Sequence, residues 1–131
     1  DRPLNTMGWE MEPQGLHNLL VRLHEEYAQG PIYITENGYP LRDEERQGQN
    51  LLDDQPRTDY IRHHLIAAWG AMQEGVPLKG YFVWSLMDNF EWAEGYGARF
   101  GIVRVNYDTL ERTPKRSAHW YKDVIARNAV Q

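Results

Sequence analysis

The sequence of 131 residues contains no cysteine, which excludes disulfide bonds, cysteine-based zinc sites and catalysis by a thiol. No apolar run approaches the roughly 18 residues of a membrane-spanning helix, so no membrane partner is expected. Lysine and arginine are scattered through a chain of net charge −5, and the absence of a basic stripe argues against nucleic acid as a partner. The first residues lack an initiator methionine and a signal region. We therefore expect the chain to begin in the middle of a longer one, and we expect a cytoplasmic location.

Aromatic residues are the most distinctive component of the composition, with five Trp and eight Tyr. An indole N–H needs a partner when it is buried. Clustered tryptophans therefore often form surfaces that bind flat or amphipathic ligands such as sugars, bases or protein partners. The remaining composition, 41% hydrophobic and 25% charged, is that of a globular chain.

Helical and extended patterns alternate along the chain, which predicts a parallel sheet. The predicted order is a helix over 14–28, a strand over 32–35, a polar surface loop over 39–56, a helix over 57–74, a strand over 80–86 that is buried on both faces, an irregular stretch over 87–99, an extended segment over 100–107 and a helix over 113–128. Two parallel strands cannot close a sheet, and a (β/α)8 barrel needs roughly 250 residues. Residues 1–131 are therefore expected to form about a third of one barrel domain, or to require a partner that completes it.

The string Ile34-Thr35-Glu36-Asn37-Gly38 places a carboxylate where a strand runs into a turn. In a barrel, the carboxyl end of a strand faces the active site, and a carboxylate there can attack an anomeric carbon. An exposed Glu that merely opens a turn explains these five residues equally well when they are considered alone.

A second string, from Trp84 to Trp92, sets two tryptophans around Glu91 at and beyond a strand end. Sugar rings pack their C–H faces on indoles, and an ionised Glu can accept two hydroxyl donors at once. The alternative is a tryptophan-rich core with a solvated Glu91, which does not explain why two acids and an Asn lie among the aromatics.

Several long motifs, in the right order, resemble the family 1 glycoside hydrolases. Ile34 to Gly38 is similar to the nucleophile signature of that family, and Tyr81 to Leu86 with Asp88 to Trp92 resembles its last barrel strand and sugar-binding loop. Further similar segments are Met7 to Glu10 with Pro13, Gly15 and Leu16, Arg99 to Val103, and Arg112 to Lys115. The resemblance implies that the chain is the C-terminal part of a (β/α)8 TIM barrel, with about the last two strands and their flanking helices.

The resemblance also implies site residues for a retaining β-glucosidase that uses neither metal nor organic cofactor. Glu36 is the expected nucleophile, and Trp84 the platform beneath the sugar. Glu91 is expected to bind the 4- and 6-hydroxyls and Trp92 the 3- and 4-hydroxyl edge, with Phe100 lining the same pocket. Trp9 is expected to stack on the leaving group. The expected substrate is a β-glucoside or small oligosaccharide without a 6-phosphate, since a carboxylate at Glu91 would repel phosphate.

One half of the chemistry is missing from the sequence. Retaining hydrolysis needs a second carboxyl group as acid/base, which in the family lies in an Asn-Glu-Pro motif that this chain lacks. Glu10, Asp88 and Glu94 do not match that position, and we expect them to be solvated or structural. We therefore expect the chain to need the N-terminal part of the barrel for activity. The alternative is a stand-alone carbohydrate-binding or scaffold module that self-associates through exposed barrel edges.

Overall fold

The computed structural model describes residues 4–27 and 30–130. The expected start of the chain at residues 1–3 and the expected end of the first helix at residue 28 lie outside this range. Three helices occur in it: α1 is Pro13–Glu26, α2 is Gln55–Gln73 and α3 is Arg116–Arg127. Four strands are described: β1 is Ile32–Asn37, β2 is Leu78–Val83, β3 is Val103–Val105 and β4 is Arg112–Pro114. Short 3-10 turns occupy Glu44–Arg46 and Trp92–Glu94.

The predicted parallel pairing is confirmed by a β1–α2–β2 unit. Ile32 of β1 pairs with Leu78 of β2 at one end, and Asn37 pairs with Val83 at the other. Helix α2 connects the two strands, and α1 packs beside it. The buried apolar core lies between the sheet and these helices: Leu20, Ile34, Ala68, Ala71, Val76 and Leu78. Since successive parallel strands end at the same edge, this unit brings the two predicted site segments together.

The last helix begins later than its sequence predicts. Thr113 and Pro114 were expected to open it, but they belong to β4, which pairs antiparallel with β3. The physical reason is the pairing of Arg104 with Thr113, which keeps the chain extended until Lys115, the residue before α3. The predicted extended segment at 100–107 is confirmed in its central residues, which form β3.

Two predictions of burial need correction. The polar stretch 39–56 is exposed over most of 44–53, as expected of a surface loop, but Tyr39, Leu41 and Asp54 are buried, because its ends pack against other loops and against α3. The strand predicted at 80–86 was expected to be buried on both faces, but it ends at Val83, and Phe82 is exposed. An apolar surface thus remains uncovered on the described residues.

Candidate active site

Glu36 is the fifth residue of β1 and lies at the carboxyl end of the parallel pair. Its side chain is exposed, and none of the described residues hydrogen-bonds to its carboxylate. The end of β2 is directly beside it, because the Trp84 N–H donates to the Asn37 carbonyl at 3.0 Å. A Cβ at Gly38 would lie 1.7 Å from the Trp84 carbonyl oxygen, so this close approach of two backbones requires glycine.

Asn37, the neighbour of Glu36, is held by two tyrosines. The Tyr81 hydroxyl donates to Asn37 Oδ1 at 2.5 Å, and Asn37 Nδ2 donates to the Tyr60 hydroxyl at 3.4 Å. Burial raises the pKa of Tyr81 and of Tyr60, so both hydroxyls stay protonated in the folded chain. The His64 ring stacks on Tyr60 with centroids 3.8 Å apart. Because the amide cannot turn freely, the backbone that carries Glu36 is fixed at this point.

The segment after β2 carries the predicted sugar-binding residues. Trp84 Nε1 donates to Glu91 Oε2 at 3.4 Å, which joins the two ends of the loop. The Glu91 N–H donates to the Gly95 carbonyl at 2.7 Å and closes the turn beyond it. Trp92, the next residue, is 81% exposed. An indole face and a carboxylate thus lie within one short loop, and both can reach a ligand above the strand ends.

Phe100 and Trp9 form a second aromatic contact near the same loop. The Ser85 N–H donates to the Phe100 carbonyl at 3.2 Å, so Phe100 lies beside the residue that follows Trp84. Its buried ring is 6.4 Å from the exposed indole of Trp9, measured between centroids. The Asn5 N–H donates to the Trp9 carbonyl at 2.9 Å and the Trp9 N–H donates to Asn5 Oδ1 at 3.0 Å, and these two hydrogen bonds shape the turn that presents the indole.

The sequence prediction missed a cluster of buried and half-buried charged residues behind this loop. Its members are Asp43, Asp54, Arg57, Asp88, Arg99, Arg104 and Lys115. Asp88 was expected to be solvated or structural, and it is fully buried. A signal was present in the sequence, because the acid lies among aromatic residues and two of its partners lie in the Arg99 to Val103 and Arg112 to Lys115 segments.

The arrangement combines an exposed carboxylate with aromatic faces and a second carboxylate beyond the neighbouring strand. Such a set can bind a sugar ring by its face and hydroxyls while a nucleophile approaches the anomeric carbon. Within the described residues there is no group of three or more His, Asp or Glu side chains that could hold a metal ion, and no helix is long and apolar enough to cross a membrane.

Comparison with known proteins decides the family. The profile of glycosyl hydrolase family 1 matches residues 1–130. The chain belongs to glycosyl hydrolase family 1. Its relatives include β-glucosidase A of Thermotoga maritima, 50% identical over 131 residues, which are all of this chain and 29% of that protein. The 1,4-β-D-glucan glucohydrolase of Thermotoga neapolitana is 52% identical over 128 residues, 98% of this chain and 29% of the relative.

Solved structures of the family share the fold described above. The family 1 β-glucosidase from Thermotoga maritima in complex with isofagomine lactam superposes with a TM-score of 0.91 at 47% identity, covering 100% of this chain and 30% of that one. The β-glucosidase from Thermotoga maritima in complex with glucoimidazole gives a TM-score of 0.88 at 49% identity, with the same coverage. The small α/β unit is consistent with part of their barrel, and it spans less than a third of their length.

Proposed function

We propose that this chain is the C-terminal part of a retaining β-glucosidase and that Glu36 is its nucleophile. One observation carries the proposal: Glu36 and Trp84 stand side by side at the carboxyl ends of two parallel strands in a chain of family 1. In barrel enzymes this end of the strands bears the active site. Relatives that bear the name β-glucosidase match 93% and 100% of the chain, which supports the sugar class.

The reaction is a double displacement. The Glu36 carboxylate attacks the anomeric carbon, the bond to the leaving oxygen breaks, and that oxygen takes a proton from an acid outside this chain. A water molecule then attacks the anomeric carbon, the bond to Glu36 breaks, and the same outside group accepts the proton of the water. The two carboxyl groups of such enzymes lie about 5–5.5 Å apart. The second one belongs to the part of the barrel that the relatives have in addition.

The glycone of the substrate is a glucosyl residue, which the loop after β2 holds. Trp84 stacks beneath the ring, Glu91 accepts from the 4- and 6-hydroxyls, and Trp92 binds the adjacent hydroxyl edge. Phe100 lines the same pocket, and Trp9 stacks on the leaving group from its exposed position. The Trp84 Nε1–Glu91 hydrogen bond supports this set, because it holds the ring platform and the hydroxyl acceptor in one geometry.

A 6-phosphoglycosidase is the second candidate, since the relatives also include a 6-phospho-β-galactosidase of Staphylococcus aureus, 42% identical over 132 residues. The carboxylate of Glu91 argues against it, because a phosphate in the same place would meet a like charge. In the complete enzyme, a 4-nitrophenyl β-glucoside should therefore be cleaved with a higher kcat/KM than a 6-phosphorylated β-galactoside. A higher kcat/KM for the 6-phosphorylated substrate would instead favour a 6-phosphoglycosidase.

Trapping the covalent intermediate tests the nucleophile. The chain, alone and together with the N-terminal part of the barrel, is incubated with an activated 2-deoxy-2-fluoro-β-glucoside, and the intact mass is read. The leaving group of this reagent departs with little acid assistance, so labelling reports on the attacking carboxylate alone. We expect one adduct, mapped to Glu36 and absent from Glu36→Gln. No adduct with both parts present would refute the assignment of Glu36.

The chain's partner in this proposal is the remainder of the barrel. Each of the strands β1 and β2 pairs on one side only among the described residues, and an apolar groove of about 680 Å³ lies between α2, β2 and α3. A stand-alone carbohydrate-binding module is the alternative. Such a module would be monodisperse and would bind glucose analogues by itself, whereas a part of a barrel associates with itself or requires its complement.

A further inference from the structure

In the sequence, Asp88 lies between the sugar platform at Trp84 and the hydroxyl acceptor at Glu91, and its side chain is fully buried. Its carboxylate accepts four hydrogen bonds. Oδ1 accepts from Lys115 Nζ at 2.7 Å and from the Gly101 N–H at 3.0 Å. Oδ2 accepts from Arg99 Nη1 at 2.9 Å and from the Val105 N–H at 3.3 Å. With its acceptor sites occupied, this carboxylate has no capacity left for a sugar hydroxyl.

The donors all belong to the segment that runs behind the sugar-binding loop, or to the residue that precedes α3. The backbone supports the same pairing, because the Asp88 N–H donates to the Val103 carbonyl at 3.0 Å. A Cβ at Gly101 would lie 2.1 Å from the Asp88 nitrogen, so the two segments are in backbone contact. Phe100, a proposed pocket residue, is joined directly to Gly101. A shift of Asp88 therefore moves both sides of the pocket.

The cluster also reaches the segment that follows the nucleophile strand. The backbone of Arg99 exchanges two hydrogen bonds with Leu41, at 3.0 and 3.1 Å. Arg57, buried on α2, donates to the Tyr39 carbonyl at 2.9 Å and to the Arg99 carbonyl. The Asp88 contact with Arg99 thus connects the loop that follows β2 to the loop that follows β1.

The charge of Asp88 is needed as well as its shape. Lys115 and Arg99 both approach it, and burial, followed by the nearby Arg57, lowers the pKa of the Lys115 amine. Without the carboxylate, the buried Lys115 would lose its anionic partner and keep the Gly101 carbonyl, while Arg99 would retain Asp43, and removing one partner of a buried ion pair in this way is strongly unfavourable. The loops that follow β1 and β2, which this cluster connects, would then separate and displace the side chains that they carry.

From this geometry we infer that Asp88 is a positioning residue for the glycone site: it fixes Glu91 and Trp84 relative to Phe100 and, through Arg99, relative to the strand end of Glu36. The inference rests on the proposed function. It assigns a role to a residue that touches no substrate and that the reaction itself does not use.

The test uses the complete enzyme, with active sites counted by the 2-fluoroglucoside so that unfolded protein does not enter the rate. Asp88→Asn keeps the size of the side chain and removes its charge. We expect kcat/KM for a β-glucoside to fall by about 100-fold per labelled site, the loss that a small misplacement of binding groups produces. Asp108→Asn, an exposed Asp in the β3–β4 turn, is the matched control and should leave the rate unchanged.

A double-mutant cycle with Glu91→Gln separates positioning from stability. If Asp88 acts through Glu91, the effect of Asp88→Asn should shrink several-fold in the Glu91→Gln background, because the contact that it positions is already lost. Asp88→Glu, which retains the charge, should restore part of the rate. Should Asp88→Asn not fold, Lys115→Gln weakens the same cluster and should show the same coupling to Glu91.

The outcomes distinguish the two proposals. A parent enzyme that is not labelled at Glu36 overturns the proposed function, and the role of Asp88 falls with it. A labelled parent enzyme whose Asp88→Asn and Lys115→Gln variants keep the parent kcat/KM per site, or lose it additively with Glu91→Gln, overturns the positioning role alone.

Discussion

At the scale of single residues, Lys115 shows how burial converts a charge into a pH response. Its pKa is lowered from the ordinary 10.5 to about 8, chiefly by burial and next by the nearby Arg57, while Asp88 and Asp54 oppose the shift. Between these two pH values the unfolded chain binds a proton that the folded chain has released. Stability from this group therefore rises with pH across that window.

The comparison of parent and Lys115→Met chains measures this contribution. Urea unfolding is followed by tryptophan fluorescence. The unfolding free energy of the unsubstituted chain minus that of Lys115→Met should increase by about 1–2 kcal/mol between pH 8 and pH 9.5. Lys122→Met, at an exposed position of α3, should give no such difference. A parent-minus-variant difference that stays flat or falls with pH contradicts a lowered pKa of Lys115.

Gly38 is the second residue whose environment decides its effect. A methyl group there would meet the carbonyl oxygen and carbon of Trp84, at 1.7 and 2.8 Å, and these backbone atoms cannot swing away. Gly38→Ala should therefore destabilise the chain by about 1–3 kcal/mol or more and should slow labelling of Glu36. Gly30→Ala, where a Cβ meets nothing within 4 Å, should change the melting temperature little. Equal melting temperatures for the two variants would contradict the close approach.

At this scale the sequence predicts neither the course of the chain after Glu36 nor the burial of Asp88. Asn37 and Gly38 are a local turn signal, yet Glu36 and Asn37 belong to β1 and no turn occurs at residues 38–40, where Gly38 instead passes close to the backbone of Trp84. The donors to Asp88 lie 11 to 27 residues away, and only the folded chain brings them to one carboxylate. The site residues that the strings around Glu36 and Glu91 predict can thus be named in advance, whereas the residues that hold them in place cannot.

At the scale of elements, the order of helices and strands follows from periodicity, and the boundaries do not. The start of α3 was predicted three residues early because Thr113-Pro114 is a common helix opening. Pairing with β3 overrides this local preference. Polarity misled the prediction for 39–56 in the same way, since Arg46 and Asp54 are buried only because backbone carbonyls and charged partners satisfy them.

The buried ion pair at the beginning of α2 should contribute strongly to the stability of the chain. Asp54 is fully buried, forms an ion pair with Arg57, and accepts from the Ser117 N–H at 2.8 Å and the Ser117 hydroxyl at 2.6 Å. Asp54→Asn leaves the Arg57 cation buried without its anionic partner, so we expect a loss of about 3–5 kcal/mol in unfolding free energy. Its neighbour Asp53 pairs with Arg116 at the surface, and Asp53→Asn should cost at most about 1 kcal/mol. Similar losses in denaturant titration for both variants would show that Asp54 does not join α2 to α3.

At the scale of the whole molecule, the described residues expose an apolar groove where the proposed barrel would continue. Ile66, Trp69 and Met72 of α2 face it together with Ile125 of α3, and all four are exposed. Ile125 becomes buried only if further structure covers α3. Exposed apolar patches of this kind associate in water, with one another or with a complementary surface.

The isolated chain should therefore form oligomers, and these should dissociate when the N-terminal part of the barrel is added. Trp69, with 59% of its surface exposed in the groove, contributes the largest side chain, so Trp69→Glu should shift the isolated chain toward monomer in sedimentation velocity. The same substitution should abolish complementation by the N-terminal part, because both associations bury the same indole. Tyr27→Glu, an equally exposed aromatic outside the groove, should alter neither. A monomeric parent chain that binds glucose analogues without any complement would instead favour the stand-alone module, since an unfinished barrel could not leave this groove open and remain monodisperse.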